Sequence, residues 1–395
     1  MNKRIIKQFR ILNVLYKEAI AYLSPINLSG WWNFGSLAMF CLVIQIVTGI
    51  LLAMHYIPND LMAFNSTEHI MRDVKYGWFL RYLHANGASF FFLVVYIHVF
   101  RGLYYGSYIT PRRAVWNVGV VILLIMILTA FLGYVLPWGQ MSFWAATVIT
   151  SLLSTIPVIG TDLVYWLWGG FSVTTVTLNR FFSLHYLLPF VLAILVFLHI
   201  ALLHESGSGN PIGVDVKLID GRYIDGQRFH PNYTIKDLHG ILLYLFFYLF
   251  FVFFAPNYFG HPDNYIPANS DVTPAHIVPE WYFLPFYAIL RSVPNKLVGV
   301  ILLVAAIVVL LVFPFLIAES TVRSTAFRPF FKWFFWFFLV DCFVLGWIGG
   351  KPIEYPYYTI GVVATVFYFG YLLFVIPLIH YIDKWVFYSS LKIKA

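Results

Sequence analysis

The sequence is short of charge, of cysteine and of internal repetition. Only 11% of its 395 residues are Asp, Glu, Lys or Arg, whereas a water-soluble chain carries about a quarter. With 61% apolar and 20% aromatic residues and a mean hydropathy of +0.80, a soluble enzyme is excluded and a polytopic membrane protein indicated. The two cysteines, Cys41 and Cys342, both fall in apolar runs and read as small apolar fillers, so no disulfide is drawn from them. The two halves show no clear repeat, which speaks against the repeat-built design of transporters. No separate cleavable presequence is expected.

What the chain does have is long stretches free of charge: 19–59, 82–100, 114–161, 181–204, 238–262, 297–318 and 355–382. A helix needs about 20 apolar residues to cross a bilayer. An all-α fold with eight transmembrane helices is expected, near 31–55, 78–103, 114–136, 176–204, 234–255, 297–317, 329–348 and 356–380. The 114–161 run is too long for one helix. Its second half, Trp138 to Gly160, is expected to be interfacial or re-entrant and packed on protein.

Three domains are expected: an N-terminal surface helix (1–30), a four-helix domain (31–210) and a C-terminal four-helix domain (211–395). Eight spans put both termini on one side. That side would hold 18 of the 25 Lys and Arg residues, among them Arg112, Arg113, Lys217, Arg228, Arg323 and Lys384. The excess predicts that the termini face the electrically negative compartment. The net charge of +8 is therefore a topological signal and an attraction for anionic lipid; nucleic acid is not implied.

Within this apolar background four histidines are spaced in pairs. His84 and His98 lie fourteen residues apart in one span, and His185 and His199 fourteen apart in another. Fourteen helical steps turn back to within roughly 40° and rise about 21 Å. Two such helices side by side would offer two His–His sites, one above the other. The same interval separates Gly35 from Gly49 and Gly119 from Gly133, and a glycine removes a side chain where a flat macrocycle would collide. A lone histidine is usually a hydrogen-bonded core residue, and membrane glycines usually serve helix packing. Four pairs sharing one interval predict instead two stacked bis-histidine haems in a four-helix bundle. No Cys-x-x-Cys-His motif is present, so such haems would be held without covalent attachment.

Filled axial positions predict electron transfer rather than ligand binding. Arg81, Arg101 and Arg180 lie near the ligand positions, where they suit haem propionates. Pro279-Glu280-Trp281-Tyr282 places a carboxylate among aromatics on the positive side, suited to accept a proton from an apolar reductant. On the negative side His204, Lys236 and Asp237 could protonate a reduced acceptor, although ordinary loop polarity accounts for them equally well.

Long motifs then carry a resemblance: Trp31-Trp32-Asn33-Phe34-Gly35, Arg81 to Ser89 (RYLHANGAS), Gly133 to Trp144 (GYVLPWGQMSFW), Pro279 to Arg291 (PEWYFLPFYAILR) and Trp347-Ile348-Gly349-Gly350. Over nearly its whole length the chain resembles the cytochrome b family of the ubiquinol–cytochrome c oxidoreductases, respiratory complex III, in the fused mitochondrial or bacterial form. The resemblance implies two haem b groups. His84 and His185 would ligate the low-potential one near the positive side, and His98 and His199 the high-potential one. It implies propionate contacts from Arg81 and Arg180 to the former and from Trp32 and Arg101 to the latter. A quinol-oxidation pocket would include Phe131, Tyr134, Gly139, Glu280, Tyr282 and Tyr287; a quinone-reduction pocket would include Asn33, His204, Ser208, Phe229, Lys236 and Asp237. Lys296 would lie beside the docking crater of a Rieske iron–sulfur protein.

The implied activity is the Q cycle. Ubiquinol gives one electron to the Rieske cluster and one through the two haems to ubiquinone, with protons released on one side and taken up on the other. Implied partners are the Rieske protein, cytochrome c1, accessory subunits and a second copy of the chain. The implied location is the mitochondrial inner membrane with both termini in the matrix.

Three departures stand out. Ala145 replaces the glycine of most members, and its methyl is expected to crowd rigid methoxyacrylate inhibitors more than flexible quinol. The loops at Thr110-Pro111-Arg112-Arg113 and before Phe229 are longer than in animal members, so the family's accessory-subunit contacts are not carried over there. Asp341, inside the seventh span, receives no role. Two other classes compete: a carrier or channel lined by the histidines, and a haem-bearing anchor for another dehydrogenase. Sharp b-type bands with two potentials would separate the first from a redox subunit, and a Glu280→Gln effect on quinol oxidation the second.

Overall fold

The computed structural model describes residue 9 and residues 13–14, 16–213, 217–219, 222–317 and 323–393. The surface helix expected over the first residues therefore lies largely outside the described part. The helices are α1 (Asn33–Ala53), α2 (Ala63–Arg72), α3 (Gly77–Tyr104), α4 (Arg113–Val135), α5 (Gln140–Ser151), α6 (Gly160–Trp168), α7 (Thr175–Ser206), α8 (Asn232–Phe254), α9 (Leu284–Arg291), α10 (Lys296–Val312), α11 (Pro329–Gly349), α12 (Tyr357–Gly370) and α13 (Ile376–Ile393). A π-helical turn, Tyr371–Val375, joins α12 to α13.

Eight helical segments are long and apolar enough to cross a membrane, the last running Tyr357–Val386. Seven fall on the charge-free runs, and Pro329–Gly349 on an apolar stretch that Lys332 and Asp341 interrupt. The sequence marks their ends by local chemistry. Thr174 caps α7 in a capping box with Thr177, and Gly207 at φ 72° ends it. Asn295 caps α10 by accepting from the Val298 N–H at 3.1 Å. Pro189 inside α7 is tolerated, as in membrane helices generally.

In the first half α1 packs along α3 and α4 along α7, with α1 also touching α7. The four form the expected bundle. α7 and α8 bury little of their surface within the chain, leaving faces of Leu, Ile and Phe for lipid or another protein. The second half folds around α11, which packs on α9 and α12, and a continuous apolar core joins it to α3 and α4. At one end of that core Arg328, 1% exposed, donates from Nε to Asp383 at 2.5 Å and lies against the His380 ring at 3.0–3.1 Å.

The Trp138–Gly160 stretch forms α5 and a 3-10 turn, packed on protein as expected. Gly139 bridges to Pro267, and a Cβ there would stand 2.2 Å from the Asn264 carbonyl oxygen, so only glycine fits. The Gln140 N–H donates to Ile266 O at 2.9 Å and Ser142 Oγ to Asn264 Oδ1 at 2.9 Å, clipping α5 to the loop after α8.

Short strands arise where none were expected. β1 (Leu23–Pro25) pairs antiparallel with β4 (Gly226–Arg228), and β2 (Lys217–Ile219) with β3 (Arg222–Ile224). Arg112, 5% exposed, donates to the carbonyls of Gly207 at 2.9 Å and Ser206 at 3.2 Å. The two lengthened loops are thus tied into one polar layer at this end of the bundle.

Candidate functional site

The bundle sets the four histidines opposite one another as two pairs. The rings of His84 and His185 lie 6.1 Å apart at 85°, and those of His98 and His199 6.3 Å apart at 61°. Two imidazole nitrogens bound about 2 Å from a metal on opposite sides place their ring centres about 6 Å apart. Both pairs match that spacing. Among the described residues no cluster of three or more His, Cys, Asp or Glu could hold a metal ion. A metal held between two imidazoles would therefore take its remaining ligands from a bound group, as an iron macrocycle supplies them.

Each glycine of the spaced set meets one histidine. A Cβ on Gly49 would stand 3.1 Å from His84 Cε1, on Gly35 3.5 Å from His98 Cε1, on Gly119 3.1 Å from His199 Cε1 and on Gly133 2.3 Å from His185 Cε1. In this structure the glycines make room for the imidazole rings themselves, so that α1 seats the rings of α3 and α4 those of α7. Two hydroxyl-bearing residues missed in the sequence complete the first pair. His84 Nδ1 is 2.9 Å from Thr48 Oγ1, and His185 Nδ1 is 2.8 Å from the Thr129 carbonyl. Thr48 precedes Gly49, and Thr129 stands one turn before Gly133.

A cavity of about 320 Å³ opens on this pair. Its wall includes His84, His185, Arg81, Tyr134, Glu280 and Tyr282, together with Tyr56, His261, Asn264 and Tyr265, which sequence reasoning did not single out. Glu280 immediately precedes the 3-10 turn Trp281–Phe283, its side chain making no capping bond. Burial pushes its carboxyl up to about 7, against a hydrogen bond with Tyr134 and the nearby Arg81 cation, which both pull it down. Tyr282 stacks on Phe92 at 4.1 Å and 3°, and its carbonyl accepts from Tyr96 at 2.5 Å.

Other residues assigned to this pocket stand behind it. Phe131 packs on Phe181 with ring centres 5.9 Å apart, and Gly139 and Ala145 belong to the α5 clip. The Tyr287 ring lies under the Arg291 guanidinium at 4.5 Å. Arg180 donates to the carbonyls of Trp166 and Leu167 rather than lining the cavity. Lys296 begins α10.

At the second pair Arg101 Nη2 lies 3.0 Å from His98 Nδ1, and its guanidinium sits 5.4 Å from the centre of the Trp32 ring. Arg101 Nε is buried without a hydrogen-bond partner, an orphaned donor of the kind a propionate-bearing ligand could engage. Beyond them Asn33 Nδ2 donates to Lys236 O at 2.5 Å, Ser36 Oγ to Asp237 Oδ1 at 2.7 Å and Lys236 Nζ to Leu28 O. His204 stacks on Tyr22 at 4.1 Å. Phe229 donates its N–H to Tyr22 O at 2.8 Å, and the Ser208 carbonyl lies 3.4 Å from Arg112 Nη2. The structure gathers Asn33, Lys236 and Asp237 closely and joins His204 and Phe229 through Tyr22. Asp341 is buried, its Oδ2 without a hydrogen bond, and nothing in the structure explains it.

A helical membrane bundle with two opposed histidine pairs, sized for an iron macrocycle between each, defines an integral-membrane redox protein. Comparison with known proteins makes the class specific. A family profile described as cytochrome b/b6/petB matches residues 19–207, and one described as cytochrome b (C-terminal)/b6/petD matches residues 267–369. The chain is 61% identical over 367 residues to the cytochrome b of Marchantia polymorpha, covering 93% of this chain and 89% of that one. It is 59% identical over 374 residues to the cytochrome b of Rhodospirillum rubrum, covering 95% and 91%. A solved structure described as a hyperthermophilic respiratory complex III superposes with a TM-score of 0.89 at 35% identity, over 97% of this chain and 100% of that one. The chain belongs to the cytochrome b family, and as such is a haem-binding, multi-pass membrane redox protein.

Proposed function

We propose that the chain is the quinol-oxidising and quinone-reducing subunit of a ubiquinol–cytochrome c oxidoreductase, holding two haem b groups, one between His84 and His185 and one between His98 and His199. Bound haem, held by these histidines, would supply reversible one-electron transfer. The observation that carries the reading is the cavity shared by the first histidine pair and Glu280, which sets a proton acceptor beside an electron acceptor.

In this reading Glu280 takes the proton of a quinol hydroxyl, with Tyr134 holding its carboxylate in place. Phe92 fixes the Tyr282 ring as one wall. Phe131, Gly139, Ala145 and Tyr287 act from behind, by holding α5 and α9 in position. Arg81, Arg180, Trp32 and Arg101 would pair with propionates. At the other end Asn33, His204, Ser208, Phe229, Lys236 and Asp237 surround the quinone-reduction site, where Lys236 and Asp237 would supply protons. The two sites on opposite faces couple turnover to proton translocation.

The cytochrome b relatives and the complex III neighbour support a Rieske protein, cytochrome c1 and accessory subunits as partners, with a docking role for Lys296. The exposed apolar faces of α7 and α8 suit a second copy, and the net charge of +8 suits anionic lipid. The distribution of Lys and Arg supports both termini on the matrix side of the mitochondrial inner membrane. The halves 31–210 and 211–395 would divide the work, the first carrying electrons and the second closing the quinol pocket and binding partners.

Glu280→Gln in the assembled complex tests the reading. Quinol oxidation is expected to slow by about a hundredfold or more while both haems remain bound; an unchanged rate would remove Glu280 from the mechanism.

A further inference from the structure

The two histidine pairs differ in what stands behind each ring. His84 Nδ1 lies 2.9 Å from Thr48 Oγ1, and that oxygen lies 2.7 Å from the Ile44 carbonyl, which can only accept. The Thr48 proton therefore points to Ile44, and Thr48 Oγ1 accepts from His84 Nδ1–H. His185 Nδ1 faces the Thr129 carbonyl at 2.8 Å and must donate as well. Both rings of this pair present a bare Nε2 to the space between them, each with an acceptor on its far nitrogen.

In the second pair His98 lacks this backing. The group beside His98 Nδ1 is a donor, Arg101 Nη2, at 3.0 Å. His199 Nδ1 faces the Val115 carbonyl, much as His185 Nδ1 faces that of Thr129, so the two pairs differ at His84 and His98. An acceptor on the outer N–H raises the basicity of a ligating imidazole. A more basic ligand favours the oxidised, more positively charged iron, whereas a cation beside the ligand favours the reduced one. Arg81 lines the cavity beside His84 as Arg101 adjoins His98, so the hydroxyl acceptor behind His84 is what distinguishes the two sites.

Resting on the haem assignment above, we propose that the Thr48 hydroxyl is a positioning and tuning residue that lowers the reduction potential of the His84–His185 site relative to the His98–His199 site. Of the two acceptors behind the first pair it is the only side chain, so it is the one that substitution can remove. Gly49 makes the contact possible: a Cβ there would stand 3.1 Å from His84 Cε1 and push the ring away from α1.

The test is a redox titration of the b-type optical bands in membranes bearing the assembled complex. Thr48→Val keeps the shape and deletes the acceptor. It should raise the lower midpoint, shifting that site's oxidised-to-reduced ratio by roughly threefold to tenfold, tenfold being 59 mV for one electron. The higher midpoint should stay in place, and Thr48→Ser, which keeps the hydroxyl, should move neither. Thr48→Cys, a weak acceptor of similar size, should give a smaller rise and serves where the valine variant does not assemble.

Two retained haems with both midpoints unmoved in the valine or cysteine variant would overturn the proposal. So would an equal shift of both midpoints, or loss of haem from both variants while the serine variant keeps it. Wild-type material without two b-type haems would instead refute the functional reading beneath it.

Discussion

At the scale of single residues, burial decides the chemistry. Glu280 sits where desolvation outweighs Tyr134 and Arg81, and its carboxyl titrates at about 7 rather than near the usual carboxylate value. A proton acceptor must be ionised, so quinol oxidation should rise as pH increases through about 7 and level off above it. In Glu280→Gln the residual rate should lose that step; a pH profile of turnover checks both curves. Ala145 is buried on α5, where its methyl is extra bulk relative to the glycine that the family resemblance implies. Overpacking by one methyl costs about 1–3 kcal/mol. Ala145→Gly should therefore lower the inhibitory concentration of methoxyacrylate-type inhibitors by roughly tenfold or more with little change in turnover. Equal inhibition of both forms would contradict it. The threonines behind the first histidine pair were not legible in the sequence for a physical reason. A threonine in a membrane helix ordinarily bonds back to the carbonyl four residues before it. Thr48 does this with Ile44 and Thr129 with Ile125, so nothing in the sequence marks their second use.

At the scale of elements, legibility followed the length of the signal. Charge-free runs of membrane length located seven of the eight spans, and the seventh span, interrupted by Lys332 and Asp341, was legible from its apolar composition; a helix in lipid has no alternative way to satisfy its backbone. The strands β1 to β4 are three residues each, too short for an alternating pattern to register. The link from α9 to α11 was equally hidden, since it depends on close backbone approach. A Cβ on Gly349 would stand 2.2 Å from the Leu284 carbonyl oxygen, and Arg291 donates from Nη2 to Ile348 O at 2.8 Å and Gly349 O at 3.1 Å. These contacts hold the Glu280 turn against the seventh span. At the opposite end Arg328 and Asp383 form a buried ion pair, 1% and 14% exposed at the side chain. Breaking one partner of such a pair costs about 3–5 kcal/mol because the other charge remains buried. Asp383→Asn should accordingly reduce the amount of complex that survives mild heating, measured by retained b-type absorbance. Wild-type heat resistance would show that Arg328 finds full compensation elsewhere.

At the scale of the whole molecule, the division of labour follows from where the histidines and the carboxylate fall. The fourteen-residue repeats on α3 and α7 stack the two sites across the membrane, about 21 Å apart by helical rise, and the second half closes the cavity at one end. That much was legible in the spacing of His84, His98, His185 and His199. The cavity walls were less so, because Tyr56, His261, Asn264 and Tyr265 come from separate loops and helix ends that only the fold brings together. The central claim is that each histidine pair clasps one haem, and haem stoichiometry tests it most directly. Pyridine extraction of the purified complex should yield two protohaems per chain, and His98→Leu should lose the higher-potential one while the lower-potential one remains. A wild-type yield of one haem or none would contradict the account.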